Sequence, residues 1–408
     1  MKKIAIVVQR CGEEIVGGAE NYALQTAKIL STFSSVDIIT TCAKNYTNWT
    51  NEYKAGEEII NHSLRILRFK VDFERTWAWS IFHRMIFGLT NPNYLNMPFN
   101  QKIKYQNKIK KTNKYIQRIW MKYQGPYSSD LLRYLHITTA NYDAIIFVTY
   151  LYPTTFFGVE TTNHHPNRFL IPALHDESPV YLSVLQNYKK LHFLFLTRKE
   201  QELGLKLFGK EIKNNLIGFG MEFPKHEIVP HASLGKYILY AGRLDIAKGM
   251  KLLYEFHELY YAKYGDVKLY TIGDGPLIDY TSNAVKHFGQ VSEVSKYEFM
   301  AGAIALVHPS SHESLGIVLL EAFMLGVPGV VMSTSDVLSA HIKESGAGCI
   351  FSNYGEYEKS LLTLKVQKGS YIQMRDNAKR YYQENYSYEK MVSNWRGLIV
   401  TSRPIGYD

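Results

Sequence analysis

Short, continuous runs of β-branched and apolar residues recur along this chain, separated by longer stretches with helical periodicity. Uninterrupted apolar runs are typical of parallel strands that are buried on both faces of a sheet. A chain that alternates such strands with helices is expected to form a doubly wound α/β fold. The runs are "IAIVVQ", "VDIITT", "LRILRF", "DAIIFVT", "RFLIPA" and "HFLFLT" in the first half, and "YILYAG", "VKLYTIG", "AIALVHP" and "VPGVVM" in the second.

The chain is too long for a single sheet of this kind, because its 408 residues are more than one ordinary core accommodates. The polar stretch 222–236 contains two prolines and interrupts the rhythm, and a new strand begins at Tyr237. We therefore expect two Rossmann-like domains, over residues 1–222 and 223–388, followed by a C-terminal segment over residues 389–408.

Composition places the chain among globular proteins, with 46% apolar and 21% charged residues. Three widely spaced cysteines form neither a disulfide framework nor a metal-ligand pattern, which fits a reduced cytosolic setting. The N-terminal apolar run is too short for a signal peptide, and no stretch has the roughly 18 apolar residues of a membrane span. We expect a cytoplasmic protein, and a peripheral position on the inner face of the cell membrane stays open.

The positive charge of the chain is concentrated in one segment. Residues 75–129 contain ten Lys and Arg and no Asp or Glu, whereas the remaining residues have 37 of each sign. Aromatic residues are interspersed there, and Ile109, Ile116, Trp120 and Tyr123 have near-helical spacing. The segment suits an anionic membrane surface, and the alternative is a solvated helix packed on the first domain. Nucleic-acid binding is not expected, since no nucleic-acid-binding fold accompanies the segment.

Ligands of parallel α/β sheets bind beyond the carboxyl ends of the strands, so motifs that follow strands are the candidates for chemistry. After the first strand, Gly17 and Gly18 precede a helix, where backbone N–H groups can approach an anion. A flexible turn explains the same pair. The dinucleotide fingerprint G-x-G-x-x-G is absent from the sequence, which argues against an oxidoreductase.

In the second half, "RLDIAKG" follows a strand and places Arg243 and Lys248 on one loop. Two such cations can converge on a diphosphate, although two solvated surface cations are the plain alternative. Gly273 and Val291 belong to turns after the next apolar strand, where glycine permits close contact with a nucleobase. Ordinary turns explain these positions almost as well.

The stretch "HESLGIVLLE" carries two acids in an apolar neighbourhood, Glu313 and Glu321. We expect a helix over 315–325, in which Glu321 is costly to bury without a partner. If helical rise applied throughout, about 12 Å would separate the two glutamates, enough to hold both sugars of a nucleotide diphosphate sugar through their hydroxyl groups. Phosphates would bind between them on the N–H groups at the helix start: those of Ser314, Leu315, Gly316 and Ile317.

A further candidate pair, His175 and Asp176, follows the strand "RFLIPA" in the first domain. A histidine at a strand end can donate a hydrogen bond to a developing charge or to a sugar hydroxyl. A histidine satisfied by its own surroundings is the alternative interpretation.

These motifs together resemble family 4 glycosyltransferases, which are retaining enzymes with two Rossmann domains facing across a cleft, the GT-B fold. The segments "GGAE", "GRLDIAKG", "IGDGP", "HPSSHESLGIVLLEAFMLGVPGVV" and "GAGCIF" occur in the family's order and spacing. The resemblance is strong over residues 236–352, is carried by "GGAE" and "LHDESP" in the first domain, and is weak between residues 70 and 140.

The resemblance implies a role for each candidate. Arg243 and Lys248 would neutralise the leaving nucleoside diphosphate, Glu313 would position the donor sugar, and Glu321 would hold the ribose. It further implies that Gly18 contacts the phosphates and that a C-terminal helix returns to the first domain. Gly17 and Asp176 are the candidates for the acceptor, and His175 for the donor sugar.

The partners follow from the same resemblance: a nucleotide sugar as donor and co-substrate, and a glycan or lipid-linked molecule as acceptor. We expect no cofactor and no metal, because the sequence contains no Asp-x-Asp. Two other functions remain open, a catalytically weak glycosyltransferase-like subunit that binds nucleotide sugar, and a nucleotide-sugar epimerase with the GT-B fold.

Overall fold

A computed structural model of the protein describes residues 1–15, 17–88, 94, 97–221, 224, 226–231, 234–366 and 368–401. The chain divides into two compact units. The first unit contains Met1–Phe219 together with Met391–Asp408, and the second contains Gly220–Lys390. Each unit is built around its own sheet.

The first unit contains an eight-stranded sheet of order β3-β4-β2-β1-β5-β6-β7-β8, in which only β3 runs antiparallel to its neighbour among the described strands. The central strand β1 pairs in parallel with β2 and β5, and the side chains from Ile4 to Val8 are fully buried. The strands are β1 (Lys3–Val8), β2 (Ser35–Thr41), β3 (Gly56–Asn61), β4 (Leu64–Phe69), β5 (Ala144–Val148), β6 (Arg168–Ile171), β7 (His192–Phe195) and β8 (Asn214–Leu216).

Helices connect these strands and cover the faces of the sheet. Two of the helices begin at a hydroxyl cap: the Ser128 and Thr197 side chains accept hydrogen bonds from backbone N–H groups of the first turn. The helices are α1 (Gly18–Ser31), α2 (Trp77–Phe87), α3 (Phe99–Lys111), α4 (Lys114–Gln124), α5 (Ser129–Thr138), α6 (Pro153–Thr161) and α7 (Arg198–Phe208).

The second unit contains a six-stranded sheet of order β11-β10-β9-β12-β13-β14, and all of its described pairings are parallel. The central strand β9 is buried along its whole length, as expected for a strand that is covered on both faces. The strands are β9 (Tyr237–Ala241), β10 (Lys268–Ile272), β11 (Val285–His287), β12 (Leu306–His308), β13 (Gly329–Met332) and β14 (Gly348–Phe351).

Helices alternate with these strands as a parallel sheet requires. The Ser292 and Ser335 hydroxyls cap two of them. The helices are α8 (Met250–Tyr264), α9 (Glu293–Gly302), α10 (Ile317–Met324), α11 (Asp336–Ser345), α12 (Tyr354–Val366), α13 (Lys368–Tyr386) and α14 (Tyr388–Thr401). Residues of α14 from Met391 onward group with the first unit.

The predicted fold class, two doubly wound α/β sheets, is confirmed. Each of the ten apolar runs contains a strand. Four further strands, β3, β8, β11 and β14, have no counterpart among the apolar runs. All four lie at sheet edges, and most of their residues are exposed or half-buried, so they lack the continuous apolar signal of a buried strand.

The basic segment 75–129 forms α2, α3 and α4 and reaches the start of α5, rather than one helix. The predicted spacing from Ile109 to Tyr123 crosses a break, because the Asn113 side chain accepts from Tyr115 N at 2.7 Å and begins a new helix. Ile109 and Trp120 are buried in the core of the first unit. One side of the segment is therefore packed on the first domain.

Within the described part of the chain, no helix has both the length and the apolar character needed to cross a membrane.

Candidate functional site

Arg243 and Lys248 lie on the loop that follows β9, and Glu313 lies on the loop that follows β12; these are two neighbouring strands of the second sheet. The Lys248 Nζ lies 2.7 Å from the Glu313 Oε1, although 65 residues separate the two in sequence. Both side chains are partly shielded from solvent, with exposed fractions of 28% and 16%. The structure therefore brings together a predicted cation and a predicted carboxylate from different loops.

The loop that carries Lys248 is built by a capped turn. Asp245 caps a short 3-10 turn by accepting from the Lys248 backbone N–H at 2.8 Å. Gly249 ends the turn with φ of +79°, and a Cβ at this position would lie 2.5 Å from the Pro309 carbonyl oxygen. The close contact between the Gly249 and Pro309 backbones holds the β9 loop against the β12 loop, and this brings Lys248 within reach of Glu313.

Arg243 pairs with Asp245 on the same loop. The two predicted cations are thus both paired with carboxylates in this structure, Lys248 with Glu313 and Arg243 with Asp245. Asp245 was not predicted as a partner from the sequence, although an Asp that precedes a turn is a recognised capping signal.

Glu313 is an ionised acceptor. Burial acts to raise its pKa, but the Lys248 ammonium, His308 and the Ser310 hydroxyl outweigh burial and hold the pKa at about 2. The His308 Nε2 lies 3.6 Å from the Glu313 Oε1, and burial lowers the pKa of this histidine. A carboxylate held ionised in this way can accept hydrogen bonds from hydroxyl groups but cannot act as an acid near neutral pH.

Glu321 lies inside α10 and is almost completely buried, at 2% exposure. Its partner is Lys296 of α9, whose Nζ lies 2.6 Å from the Glu321 Oε1. The pair explains how this helix accommodates a carboxylate. Lys296 was not predicted from the sequence, because nothing in the spacing of α9 distinguishes this lysine from an exposed one.

The start of α10 differs from the prediction. The helix runs from Ile317 to Met324 rather than from 315 to 325, and the preceding Gly316 has φ of +74°. This left-handed conformation is not helical, so Ser314 and Leu315 lie on the approach to the helix. The helical rise of about 1.5 Å per residue therefore applies only from Ile317 onward. The assumption that it applies from Glu313 to Glu321, on which the separation of about 12 Å was based, was wrong.

His341 and a close packing contact hold the residues that precede α10, Ser314 to Gly316, in place. The Leu315 carbonyl accepts a hydrogen bond from the His341 Nε2 at 2.8 Å. A Cβ on Gly316 would lie 2.6 Å from a Leu338 methyl carbon of α11, and the left-handed φ of this residue favours glycine. The loop that carries Glu313 is thus braced by α11.

Gly273 and Val291, the predicted nucleobase contacts, lie on loops after β10 and β11. A Cβ on Gly273 would lie 2.0 Å from the Gly242 carbonyl oxygen, and Gly273 N donates to the Gly289 carbonyl at 2.8 Å. Glycine is therefore required here for the packing of adjacent loops. Val291 is half-buried. Their role in binding a base stays a prediction.

In the first unit, Gly17 precedes α1 and Gly18 is the first residue of this helix. The Arg10 Nε lies 2.6 Å from the Glu20 Oε1, and both side chains are buried. A Cβ on Gly17 would lie 2.2 Å from the Glu20 Oε2. The backbone at the helix start is therefore packed against a carboxylate of the protein itself, which the sequence analysis did not anticipate.

The predicted histidine of the first unit is held in a small network. The His175 Nε2 lies 3.1 Å from the Glu177 Oε1, which also accepts from the Tyr150 hydroxyl at 2.5 Å. His175 keeps 31% of its side chain exposed. The ring is thus oriented by Glu177 and still reaches solvent.

Glu200 anchors the loop that carries His175. The oxygens of its buried carboxyl group accept from Leu174 N at 2.7 Å and from Leu196 N at 2.6 Å. The preceding Ala173 has φ of +54°, a conformation that is costly for a residue with a Cβ. Burial raises the pKa of Glu200 to about 8, against the lowering effect of its backbone N–H donors. Sequence analysis missed Glu200, since its partners are backbone groups.

Asp176, predicted to contact an acceptor, is occupied by side chains of its own unit. Its carboxylate accepts from the Tyr94 hydroxyl at 2.9 Å and the Tyr181 hydroxyl at 2.7 Å, and the Lys102 Nζ lies 2.9 Å away. Burial would raise the pKa of Asp176, but Lys102 and Tyr181 lead the interactions that lower it. Asp176 therefore fastens α3 to the loop after β6, and an acceptor role stays a prediction.

No cluster of three or more His, Cys, Asp or Glu side chains is arranged to hold a metal ion among the residues described in the ranges above. The expected independence of a metal stays a prediction.

Comparison with known proteins connects this geometry to a family. Residues 224–381 match the family described as glycosyl transferases group 1. The matched segment lies within the second unit and contains Lys248, Glu313 and Glu321. The family recognised from the sequence motifs is thereby confirmed for this unit. Among curated proteins, none matches the chain.

Solved structures share the two-domain fold at low sequence identity. A sucrose-phosphate synthase from Thermosynechococcus elongatus aligns with a TM-score of 0.67 at 14% identity. The Anabaena protein HepE, in complex with UDP and glucose, aligns with a TM-score of 0.66 at 15% identity. WaaG, a glycosyltransferase involved in lipopolysaccharide biosynthesis, aligns with a TM-score of 0.60 at 13% identity. Each alignment covers 98% of this chain and 100% of that chain.

Proposed function

We propose that this chain, whose residues 224–381 match the glycosyl transferases group 1 family, is a retaining glycosyltransferase that uses a nucleotide diphosphate sugar. The acceptor in this proposal is a glycan or a lipid-linked molecule, in surface polysaccharide or glycolipid biosynthesis. The observation that carries the proposal is the position of Lys248, 2.7 Å from Glu313, on loops at the carboxyl ends of neighbouring strands, where parallel sheets bind ligands.

The donor is proposed to bind at this edge of the second sheet. An ammonium group has three N–H donors, so the Lys248 group can contact a phosphate oxygen while it stays beside Glu313. Arg243 lies on the same loop and would supply the second cation. The approach to α10, Ser314 to Ile317, would supply backbone N–H groups to the diphosphate.

Glu313 is proposed to grip the hydroxyl groups of the transferred sugar, because its pKa of about 2 keeps it an acceptor. Glu321 would hold the ribose, and Gly273 and Val291 would lie against the base. In the first unit, Gly18 would contact the phosphates and His175 the donor sugar. Gly17 and Asp176 would face the acceptor.

The chemistry follows from charge development. The bond between the anomeric carbon and the leaving phosphate oxygen breaks, and negative charge accumulates on the diphosphate. Cations and backbone N–H groups that contact it stabilise the transition state more than the bound substrate. The acceptor hydroxyl forms the new bond on the same face and passes its proton to the leaving phosphate, which accounts for retention without a protein nucleophile.

Thermal unfolding with added nucleotides tests the donor. HepE binds UDP and glucose, so UDP and UDP-sugars are the first candidates, with GDP and GDP-sugars as the comparison. A donor at about one hundred times its Kd would stabilise the fold by about 2.7 kcal/mol. If no nucleoside diphosphate or nucleotide sugar shifts the melting temperature, the donor assignment fails.

Product analysis separates the alternatives. A transferase incubated with donor alone slowly releases free sugar and nucleoside diphosphate, whereas an epimerase yields the epimeric nucleotide sugar. A binding subunit without activity shows a thermal shift and no turnover. NMR of the anomeric proton in the transfer product then tests retention, and inverted configuration or a trapped covalent sugar–enzyme adduct would contradict the proposed mechanism.

A further inference from the structure

Helix α2 has apolar side chains on the face that it presents to solvent. Trp77, Ile81 and Met85 recur every four residues and are 75%, 45% and 51% exposed. Residues four apart lie on one side of a helix, so the three form a continuous stripe. Ile86 and Phe87 of the same helix are buried in the core. The stripe is therefore a second apolar surface, separate from the one that folding uses.

Helix α3 continues this pattern. Phe99 and Ile103, again four residues apart, are 76% and 39% exposed, whereas Ile109 is fully buried. The two helices contact each other, and the Tyr105 hydroxyl of α3 donates to the Phe87 carbonyl of α2 at 2.9 Å. We name the exposed set Trp77, Ile81, Met85, Phe99 and Ile103 the α2–α3 face.

The segment that carries the α2–α3 face has charged residues of one sign. Residues 75–129 contain ten cations and no acid. Some cations are used within the fold, since Lys102 pairs with Asp176 and Arg118 with Glu160. Six others are exposed and have no carboxylate partner among the residues that the structure describes, and these are Arg84, Lys104, Lys108, Lys110, Lys111 and Lys114.

On α3 most of the exposed cations share one side. Lys104, Lys108 and Lys111 follow the spacing of one helical face, and Phe99 and Ile103 lie between that face and the buried one. Lys110 is the exception, because it follows Ile103 by seven residues and its Nζ lies 5.5 Å from the centre of the Tyr181 ring. An apolar strip with a row of cations beside it is the arrangement of helices that lie in the interface of an anionic bilayer. Unneutralised lysines would repel a second copy of the same surface.

We propose that the α2–α3 face docks the first unit on an anionic lipid bilayer. The apolar side chains would enter the boundary between headgroups and acyl chains, and the lysines would contact lipid phosphates. A nucleic acid would use the cations but offers no partner for the aliphatic Ile81, Met85 and Ile103. The inference rests on the proposed function in one respect, because a lipid-linked acceptor is presented at such a surface.

Vesicle sedimentation with the full chain tests the proposal. Vesicles of equimolar phosphatidylcholine and phosphatidylglycerol should bind the protein, and phosphatidylcholine alone should bind it at least tenfold less. Binding should weaken as salt rises, because screening reduces the attraction of the lysines. Absence of binding to anionic vesicles at low salt would overturn the proposal.

Two variants locate the surface. Trp77→Ser with Ile81→Ser and Met85→Ser should reduce binding at least tenfold, as should Lys104→Gln with Lys108→Gln and Lys111→Gln.

The apolar control is Leu259→Ser with Ile372→Ser, two exposed residues of the second unit. The charge control is Lys343→Gln with Lys359→Gln, two exposed lysines of that unit. Both controls should bind as the unchanged protein does. Unimpaired binding by the apolar triple variant would contradict docking through this face.

Two further measurements test whether Trp77 enters the lipid and whether the α2–α3 face binds a second copy of the chain instead. Trp77→Phe should retain binding and lose part of the blue shift of tryptophan emission that vesicles induce, which shows that Trp77 itself enters the lipid. Light scattering should find one oligomeric state for the unchanged protein and the apolar triple variant; an oligomer that the triple variant dissociates would instead assign the face to a second copy. Neither vesicle binding nor light scattering requires a donor, so failure here leaves the donor assays unaffected.

Discussion

The Lys296 Nζ lies 2.6 Å from the Glu321 Oε1, and this contact joins α9 to a carboxylate that is 2% exposed. The pair explains how an apolar helix accommodates an acid. It also places a cation behind the residue that we propose holds the ribose, so that Glu321 is fixed before any donor arrives.

Removing the lysine from this pair should destabilise the second unit. Lys296→Met leaves a buried carboxylate without its cation, and we expect a loss of about 3 kcal/mol in the free energy of unfolding. Urea unfolding measures the loss. Lys343→Met, an exposed lysine on α11, is the matched control and should change the stability by less than about 0.5 kcal/mol. Equal stability of the two variants would show that Glu321 does not depend on Lys296.

Lys248 is expected to act on the rate more than on the fold. Lys248→Met should lower kcat for donor turnover by a hundredfold or more, on the order of 3–4 kcal/mol, because a cation beside the leaving diphosphate is lost. Steady-state kinetics with the donor found by thermal shift provides the test. Lys251→Met, an exposed lysine on the following helix, should keep nearly full activity. A Lys248→Met enzyme with unchanged kcat would remove this residue from the mechanism.

The ion pair of Glu313 with Lys248 should make the stability of the protein depend on pH in the acid range. The folded pKa is lowered from 4.5 to about 2, so the stability that this carboxylate contributes is complete above about pH 4.5 and is lost as the pH falls towards 2. The difference in unfolding free energy between the unchanged protein and Glu313→Gln should shrink over that window by on the order of 3 kcal/mol. Denaturant unfolding at several pH values measures it, and a difference that is independent of pH would contradict the pairing.

The backbone contact that holds the Lys248 loop can be tested with two glycines that flank α8. Gly249→Ala places a Cβ 2.5 Å from the Pro309 carbonyl oxygen in a left-handed conformation, and should cost about 2–4 kcal/mol. Gly265→Ala has φ of +64° and meets nothing closer than 3.9 Å, so it carries the conformational cost alone, about 1 kcal/mol. Thermal unfolding compares them. Equal costs would argue that the two loops are not held by close packing.

Glu200 should position His175 without contacting a ligand. Glu200→Ala leaves the N–H groups of Leu174 and Leu196 without their acceptor, at about 1–3 kcal/mol each, and frees the loop before His175. We expect a lower melting temperature and, at temperatures where the variant is folded, a lower kcat. Glu202→Ala, an exposed glutamate on the same helix, should change neither. Loss of stability without any change in kcat would limit Glu200 to a structural role.

Much of the site was visible in the sequence because strand ends are visible there. A buried strand has a continuous apolar run, and the residue after it lies at the carboxyl edge of the sheet. The apolar runs alone predicted this edge for Arg243, Lys248 and Glu313, whereas the pairing of β9 with β12 is seen only in the structure. Edge strands such as β3 were missed, because exposure on all six residues removes the apolar signal.

The sequence by itself determined the two α/β sheets, their parallel cores and the loops on which the candidate residues lie, since these depend on local periodicity and on what each element must bury. Only the tertiary structure decided the partners: Lys248 with Glu313, Lys296 with Glu321, and Glu200 with the backbone at Leu174. A charged side chain has the same local signature whether it is solvated or paired, so its partner depends on which strands and helices become neighbours. The left-handed Gly316, which delays α10, belongs to the same class, because a glycine in a sequence does not show which φ region it adopts.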